Sequence, residues 1–416
     1  MAVHRAGIRR PARRRPGVNP AATERALDPS EAMFAGNRST VAYSVFGTGA
    51  LDIDALAIAF RALLKSYPVL SAHIVPVGAG YTLRHVPHPP VPQVGTRTAL
   101  PRSGFTIADP AAVCAVDAAQ SGNTFRLTLL THHSVADAGA ALKYLDVLCS
   151  LYTRVIETGS PGTIRAHPLA ISLEQFLAQR GYVIPEPRAP VAPRSEPPVD
   201  PSVVVRHGRT QLGHEQTAQL FDTARAAGLT VHGVVCAAIL LAAQALSRSP
   251  EPVTFGLTSS VDLRTRTGTP ITAVQGTVIQ GADTAALTVT PNDDPLRLAR
   301  AVLDSLAGGL ADGSVHQAFL RNPLPQQPST ENPLMVTNWG RIPPLRLPEA
   351  LRVHDFRATV RGRRIGLRAT ALPPSFFVTT CDGRLSLDHP VWVADESDPT
   401  LAWTAALGRA FDRLLR

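Results

Sequence analysis

Two adjacent histidines and a following aspartate, His132, His133 and Asp137, are the residues of this 416-residue chain best suited to chemistry. An imidazole takes and returns a proton near neutral pH, so His133 reads as a general base, with His132 beside it in the same candidate catalytic group. Asp137 could steady the turn or the imidazole. Its place before a periodic apolar segment also suits a helix N-terminus, where free backbone N–H groups need an acceptor. A turn histidine beside a helix cap is the plainer reading of the same residues.

The elements that must position this group are legible around it. Thr124 to Thr131 alternates and is rich in threonine and large apolar residues, which predicts a strand ending at the histidines. Ala138 to Tyr152 carries Ala141, Leu145, Leu148 and Leu151 on one face, which predicts a helix. A strand end, an imidazole and a helix start therefore converge.

Other chemistries find less support. The neighbouring rings of His132 and His133 cannot easily turn onto one ion, and no second His/Asp cluster follows, so no metal is expected. No Gly-x-Ser-x-Gly nucleophile elbow occurs. Cys114, Cys149, Cys236 and Cys381 are widely spaced, three of them in apolar surroundings, and fit small core residues in a reducing cytoplasm. The net charge of +9 comes almost wholly from arginine, and aromatic residues are few at 5%, so no nucleic-acid platform is expected. The apolar stretch His232–Ser247 is short for a membrane span and reads as a buried core helix.

His132-His133-Ser134-Val135-Ala136-Asp137-Ala138 resembles the HHxxxDG signature of the chloramphenicol acetyltransferase-like superfamily, which includes peptide-synthetase condensation domains and polyketide-associated acyltransferases. The resemblance implies that the second histidine, His133, is the general base and that Asp137 is mainly architectural. Ala138 stands where the signature has glycine, with Gly139 one place later. Leu51-Asp52 through Tyr67-Pro68-Val69-Leu70 is similar to the family's opening helix. Ser260-Val261-Asp262-Leu263-Arg264 is similar to its VDLR segment, which implies Arg264 beside Asp137. Val336-Thr337-Asn338-Trp339-Gly340-Arg341 is similar to its SNxG strand end, which implies substrate-binding roles for Asn338 and Trp339, with Arg264 in the same set. The opening Leu27-Asp28-Pro29-Ser30-Glu31 segment places the chain nearest the phthiocerol/phthiodiolone dimycocerosyl transferase-like group.

The resemblance implies an α/β fold of two chloramphenicol acetyltransferase-like α/β sandwich domains facing each other across a substrate tunnel. A flexible basic tail is expected over residues 1–22, an N-terminal subdomain over 23–183, a Pro-rich linker over 184–202 and a C-terminal subdomain over 203–416. Strands are expected at Val41–Phe46, Val253–Val261, Thr272–Gln280, Leu334–Asn338, Ile365–Ala371, Ser375–Thr380 and Arg384–Asp388, and helices at Pro295–Ala311 and Pro399–Leu415.

The implied activity is acyl transfer from a coenzyme A or carrier-protein thioester to a hydrophobic alcohol, in lipid or secondary metabolism, with no cofactor of its own. An acyl carrier protein or polyketide synthase is the implied partner, and a cytoplasmic monomer is expected. An amide-forming condensation enzyme and a catalytically silent binding protein are the alternatives; Ala138 is what keeps the second open. Arg357, Arg361, Arg363, Arg364 and Arg368 form a candidate basic rim for the donor.

Overall fold

In the computed structural model, the structure describes residues 24–36, 38–86, 92–95, 98–99, 105, 107–185, 204–321, 331–361, 374–393 and 398–416. The expected tail over 1–22, nearly all of the expected linker and the expected strand Ile365–Ala371 lie outside these residues.

The first half runs β1 (Glu24–Ala26), α1 (Pro29–Gly36), β2 (Thr40–Thr48), α2 (Ile53–Ser66), β3 (Ala72–Val77) and β4 (Gly80–His85). It continues with β5 (Gln93–Gly95), β6 (Cys114–Ser121), β7 (Thr124–His132), α3 (Ala138–Thr158) and α4 (Leu173–Ala178). The second half begins β8 (Val204–Gln211), α5 (His214–Ala226), α6 (Val231–Ser247), β9 (Val253–Asp262) and β10 (Gln280–Val289). It ends α7 (Pro295–Ala311), α8 (Ser314–Arg321), β11 (Pro333–Arg341), β12 (Arg352–Arg361), β13 (Ser375–Cys381), β14 (Arg384–Val393) and α9 (Pro399–Leu414).

Helix boundaries follow local chemistry. Asp52 caps α2 by accepting from the Ala55 backbone N–H at 2.9 Å, and Pro68 stands beyond its last turn. Thr230 accepts from Gly233 at the start of α6, while Pro295 and Pro399 open α7 and α9 at the first helical position.

Two large sheets each bury one face under helices. The N-terminal sheet has the order β12-β2-β7-β6-β5 and packs against α2 and α3, with Leu56, Phe60, Leu127, Leu129, Leu145 and Leu148 in its core. The C-terminal sheet has the order β10-β9-β11-β13-β14-β8 and packs against α6, α7 and α9. Most of α6 is buried in that core, and among the described residues no single helix is long and apolar enough to cross a membrane.

The two halves are interleaved. Strand β12 comes from the second half yet pairs antiparallel with β2 of the first, Arg352 opposite Thr48 through Arg361 opposite Thr40. Phe356 and Ala358 of this strand join the N-terminal core, as does Phe377 from β13.

One expected strand is corrected. Thr272–Gln280 is a one-turn 3-10 helix, Ala273–Gln275, followed by a bridge at Gly276 and a bend, and the strand starts only at Gln280. Gln275 caps that turn by accepting from the Thr272 N–H at 2.7 Å, and the Thr277 carbonyl accepts from the Asp137 N–H at 3.0 Å. Backbone groups that a ladder would have used are therefore committed to a cap and to the other lobe.

Candidate active site

Strand β7 delivers the histidine turn at the edge of the N-terminal core. His132, its last residue, pairs with Thr40, and its N–H donates to the Val113 carbonyl at 2.7 Å. The His133 N–H donates to the Ser39 carbonyl at 2.7 Å, and the Val135 N–H returns to the His132 carbonyl at 3.0 Å. These three backbone donors are thus held, which fixes where the rings start.

The two rings have different surroundings. His132 is buried, and its Nδ1 accepts from the Ser134 N–H at 3.2 Å, so this ring braces the turn. Burial pushes its pKa down to about 3, helped by His133 and Arg38, so it is uncharged. His133 is partly buried and stacks on Phe34, with ring centroids 4.1 Å apart and planes 12° from parallel. Burial lowers its pKa below the usual imidazole value, although Asp137 and nearby backbone carbonyls work the other way. Its Nδ1 has no partner at hydrogen-bonding geometry and lies near the carbonyls of His133 and Ala136. Carbonyls only accept, so they favour the tautomer with the proton on Nδ1 and leave Nε2 as the basic nitrogen.

Asp137 touches neither imidazole through a hydrogen bond. Its Oδ1 accepts from the Ala140 N–H at 3.0 Å, capping α3. Its Oδ2 accepts from Arg264 Nη1 at 2.7 Å and from the Ile279 N–H at 2.9 Å. Arg264 is itself buried and also donates from Nη2 to the Gly276 carbonyl at 3.2 Å. One carboxylate therefore starts the helix, pairs with the guanidinium and joins the two lobes. Ala138 is the first residue of α3 and has no left-handed backbone angle, so alanine is accommodated there without strain. At Gly139 a methyl group would meet Arg264 Nη1 at 3.4 Å, an ordinary contact.

Helix α1 completes the surroundings, and the sequence reading did not assign it a role. The Ser134 hydroxyl donates to the Glu31 carbonyl at 2.7 Å. The Glu31 carboxylate accepts from Arg25 at 2.7 and 2.6 Å, and from the Thr277 hydroxyl at 2.6 Å. The available signal was the Pro29-Ser30-Glu31 opening, proline and an acid in a first turn.

Asn338 and Trp339 part company at a bulge in β11, where pairing with β13 slips between Asn338 and Gly340. Gly340 is left-handed at φ +69, and Asn338 Oδ1 accepts from its N–H at 2.8 Å. Trp339 turns toward the N-terminal core, stacked on Tyr43 at 5.1 Å and edge-on to Phe356, with its indole N–H buried and unpaired. Asn338 lines a cleft of about 380 Å³ against α5, walled by Phe221, Ala224, Leu229, Val378 and Leu385, with Arg225 and Arg341 also in its lining. None of the residues from His132 to Asp137 lines that cleft.

Among the described residues no group of three or more His, Cys, Asp or Glu side chains is placed to hold a metal ion. Cys236 lies 3.6 Å from the His232 ring, but burial pushes its thiol up to about 12, which leaves it a poor nucleophile. Of the candidate donor rim, Arg357 pairs with Asp355 at 3.2 Å, Arg361 ends β12, and Arg363, Arg364 and Arg368 lie outside the described residues.

Residues 201–390 match the family described as the phthiocerol/phthiodiolone dimycocerosyl transferase C-terminus. A phthiocerol/phthiodiolone dimycocerosyl transferase of Mycobacterium ulcerans is 31% identical over 375 residues, 82% of this chain and 86% of the relative. Polyketide synthase associated protein 5 from Mycobacterium tuberculosis superposes with a TM-score of 0.75 at 26% identity, over 92% of this chain and 96% of its own. The trichothecene 15-O-acetyltransferase of Fusarium sporotrichioides shares the fold at a TM-score of 0.67 and 11% identity, over 94% and 95% of the two chains.

Proposed function

Because this chain belongs to the phthiocerol/phthiodiolone dimycocerosyl transferase family, an acyltransferase family, we propose that it esterifies a hydrophobic alcohol with an acyl group carried as a thioester. His133 Nε2 takes the proton of the acceptor hydroxyl as its oxygen attacks the thioester carbonyl. The tetrahedral intermediate collapses, the C–S bond breaks, and the imidazolium returns the proton to the leaving thiolate. Ester and free thiol are the products, and every proton is accounted for without a redox partner. No covalent acyl-enzyme is required, because the thioester is already activated.

The observation that carries this reading is the placement of His133: at a strand end where two lobes meet, its pKa lowered by burial, with Asp137 committed elsewhere. Ala138 starts α3 without a left-handed backbone angle, which supports an active rather than a silent scaffold. The donor is a coenzyme A or phosphopantetheinyl carrier thioester, the carrier being an acyl carrier protein or polyketide synthase.

Purified protein incubated with acyl-coenzyme A donors and long-chain alcohols should release thiol and form ester detectable by mass spectrometry. His133→Ala should keep its fold and lose about 10²–10⁴-fold in turnover. A folded His133→Ala protein with wild-type turnover would sink the mechanism.

A further inference from the structure

A general base is usually oriented by a hydrogen bond to its second ring nitrogen. His133 lacks a well-aligned one: its Nδ1 has no partner at hydrogen-bonding geometry, only the nearby carbonyls of His133 and Ala136, and the carboxylate of Asp137 is spent on Ala140, Arg264 and Ile279. What lies against the imidazole is the face of Phe34, 4.1 Å away and within 12° of parallel.

Phe34 is not a loose neighbour. Its carbonyl accepts from the Ser39 N–H at 3.1 Å, and the Ser39 carbonyl accepts from the His133 N–H at 2.7 Å. One residue therefore couples the two backbones whose rings stack. Ser134 anchors the same helix through the Glu31 carbonyl, and Thr277 anchors it from the other lobe through the Glu31 carboxylate. Glu174 fixes its first turn by accepting from the Ser30 N–H at 2.8 Å and the Ser30 hydroxyl at 2.7 Å. With α1 held at these points, the Phe34 ring forms a fixed wall.

We propose that Phe34 is a positioning residue that sets the plane of the His133 imidazole and keeps water from that face. This rests on the reading of His133 as the base. A stacked ring pair favours one ring orientation over a rotated one by roughly two- to tenfold beyond the effect of its buried area. Among the described residues, the charged or titratable groups around the turn include His132, Arg38, Asp137, Asp262, Arg264, Arg25 and Glu31, with Tyr43, Tyr144 and Cys114 kept neutral by burial. His132 is uncharged, while Asp137 and Glu31 are neutralised by Arg264 and Arg25. Burial is therefore the main influence on His133, and Phe34 supplies part of that burial.

The test compares Phe34→Ala, Phe34→Leu and Phe34→Trp with His133→Ala, each checked for folding by circular dichroism. Phe34→Ala should lower kcat about tenfold, with donor KM changed less than about twofold, because a misplaced base costs turnover rather than binding. The acid limb of its rate profile should move up toward the free imidazole value, and a ¹³C titration of the His133 ring should move with it. Phe34→Leu fills the space without stacking and should lose turnover with a smaller shift of the limb. Phe34→Trp keeps the stack and should recover most of the turnover. Folded Phe34→Ala and Phe34→Leu proteins with wild-type kcat and an unmoved ring titration would overturn the role of Phe34 while His133→Ala remained inactive. An active His133→Ala protein would instead overturn the base assignment itself.

Discussion

Arg264 Nη1 lies 2.7 Å from Asp137 Oδ2, and both side chains are buried where the loop after β9 meets the start of α3. The contact joins residues 127 positions apart in the chain, and the same carboxylate caps α3. Losing either partner leaves a different remainder. Arg264→Met strands a buried carboxylate with only two backbone N–H donors, whereas Asp137→Asn leaves Arg264 with Asp262 at 3.2 Å.

Arg264→Met should therefore destabilise by about 3–5 kcal/mol, the range for breaking a buried pair, and Asp137→Asn by less. Denaturant unfolding of both variants checks this ordering. Equal losses, or a loss under about 1 kcal/mol in Arg264→Met, would mean that the pair does not hold the lobes.

The second prediction concerns pH and activity. Burial lowers the His133 pKa below the ordinary imidazole value, so the base is mostly unprotonated at neutral pH. The plot of kcat/KM against pH should be flat on the neutral side and fall with unit slope only below the ordinary imidazole value. A limb centred above 6.5 would contradict the burial of this ring.

His132 carries the matching stability prediction. Its pKa is about 3 in the folded protein, so between 6.5 and 3 the unfolded chain binds a proton that the native state does not. Stability should therefore fall as pH drops through that window, by at most about 1.4 kcal/mol per pH unit from this group. His132→Asn should flatten the slope in unfolding experiments run from pH 7 to pH 4.

The fourth prediction tests the inter-lobe bond to α1. The Thr277 hydroxyl donates to the buried Glu31 carboxylate at 2.6 Å. Thr277→Val keeps the shape and removes the donor, and should cost about 1.5–3 kcal/mol, the range for a hydrogen bond to a charged group. Thr277→Ser should retain nearly all of that stability. Indistinguishable valine and serine variants would show that the bond is dispensable.

The fifth concerns the bulge. Gly340 sits at φ +69, where an L side chain is disfavoured by roughly 1–2 kcal/mol. Gly340→Ala has open space for its methyl group, so its cost should come from backbone strain alone. A shifted bulge would tilt Trp339 away from Tyr43, which tryptophan fluorescence should register along with the loss of stability.

Much of this molecule was written locally. The period of Thr124–Thr131 and of Ala138–Tyr152 determined β7 and α3, because alternating and helical apolar spacing each bury one face only in one conformation. The Pro295 and Pro399 openings marked their helices, since proline at a first helical position sacrifices no hydrogen bond. The spacing of His132, His133 and Asp137 placed an imidazole between a strand end and a helix start without any knowledge of the rest. Contacts made across the chain were a different matter. Strand β6, with three alanines in its run Cys114–Ser121, has weak strand propensity and exists because β7 pairs with it. Strand β12 belongs to the first sheet only because β2 offers an open edge, which no local pattern near residue 352 announces. Thr272–Gln280 looked like a strand but is held as a turn by bonds to Asp137 and Glu31 from the other lobe. At the site itself, the sequence supplied the base but not what orients it. Phe34 is about a hundred positions away from His133, and a stack between two rings depends on where α1 is anchored, a property of the packed tertiary structure alone.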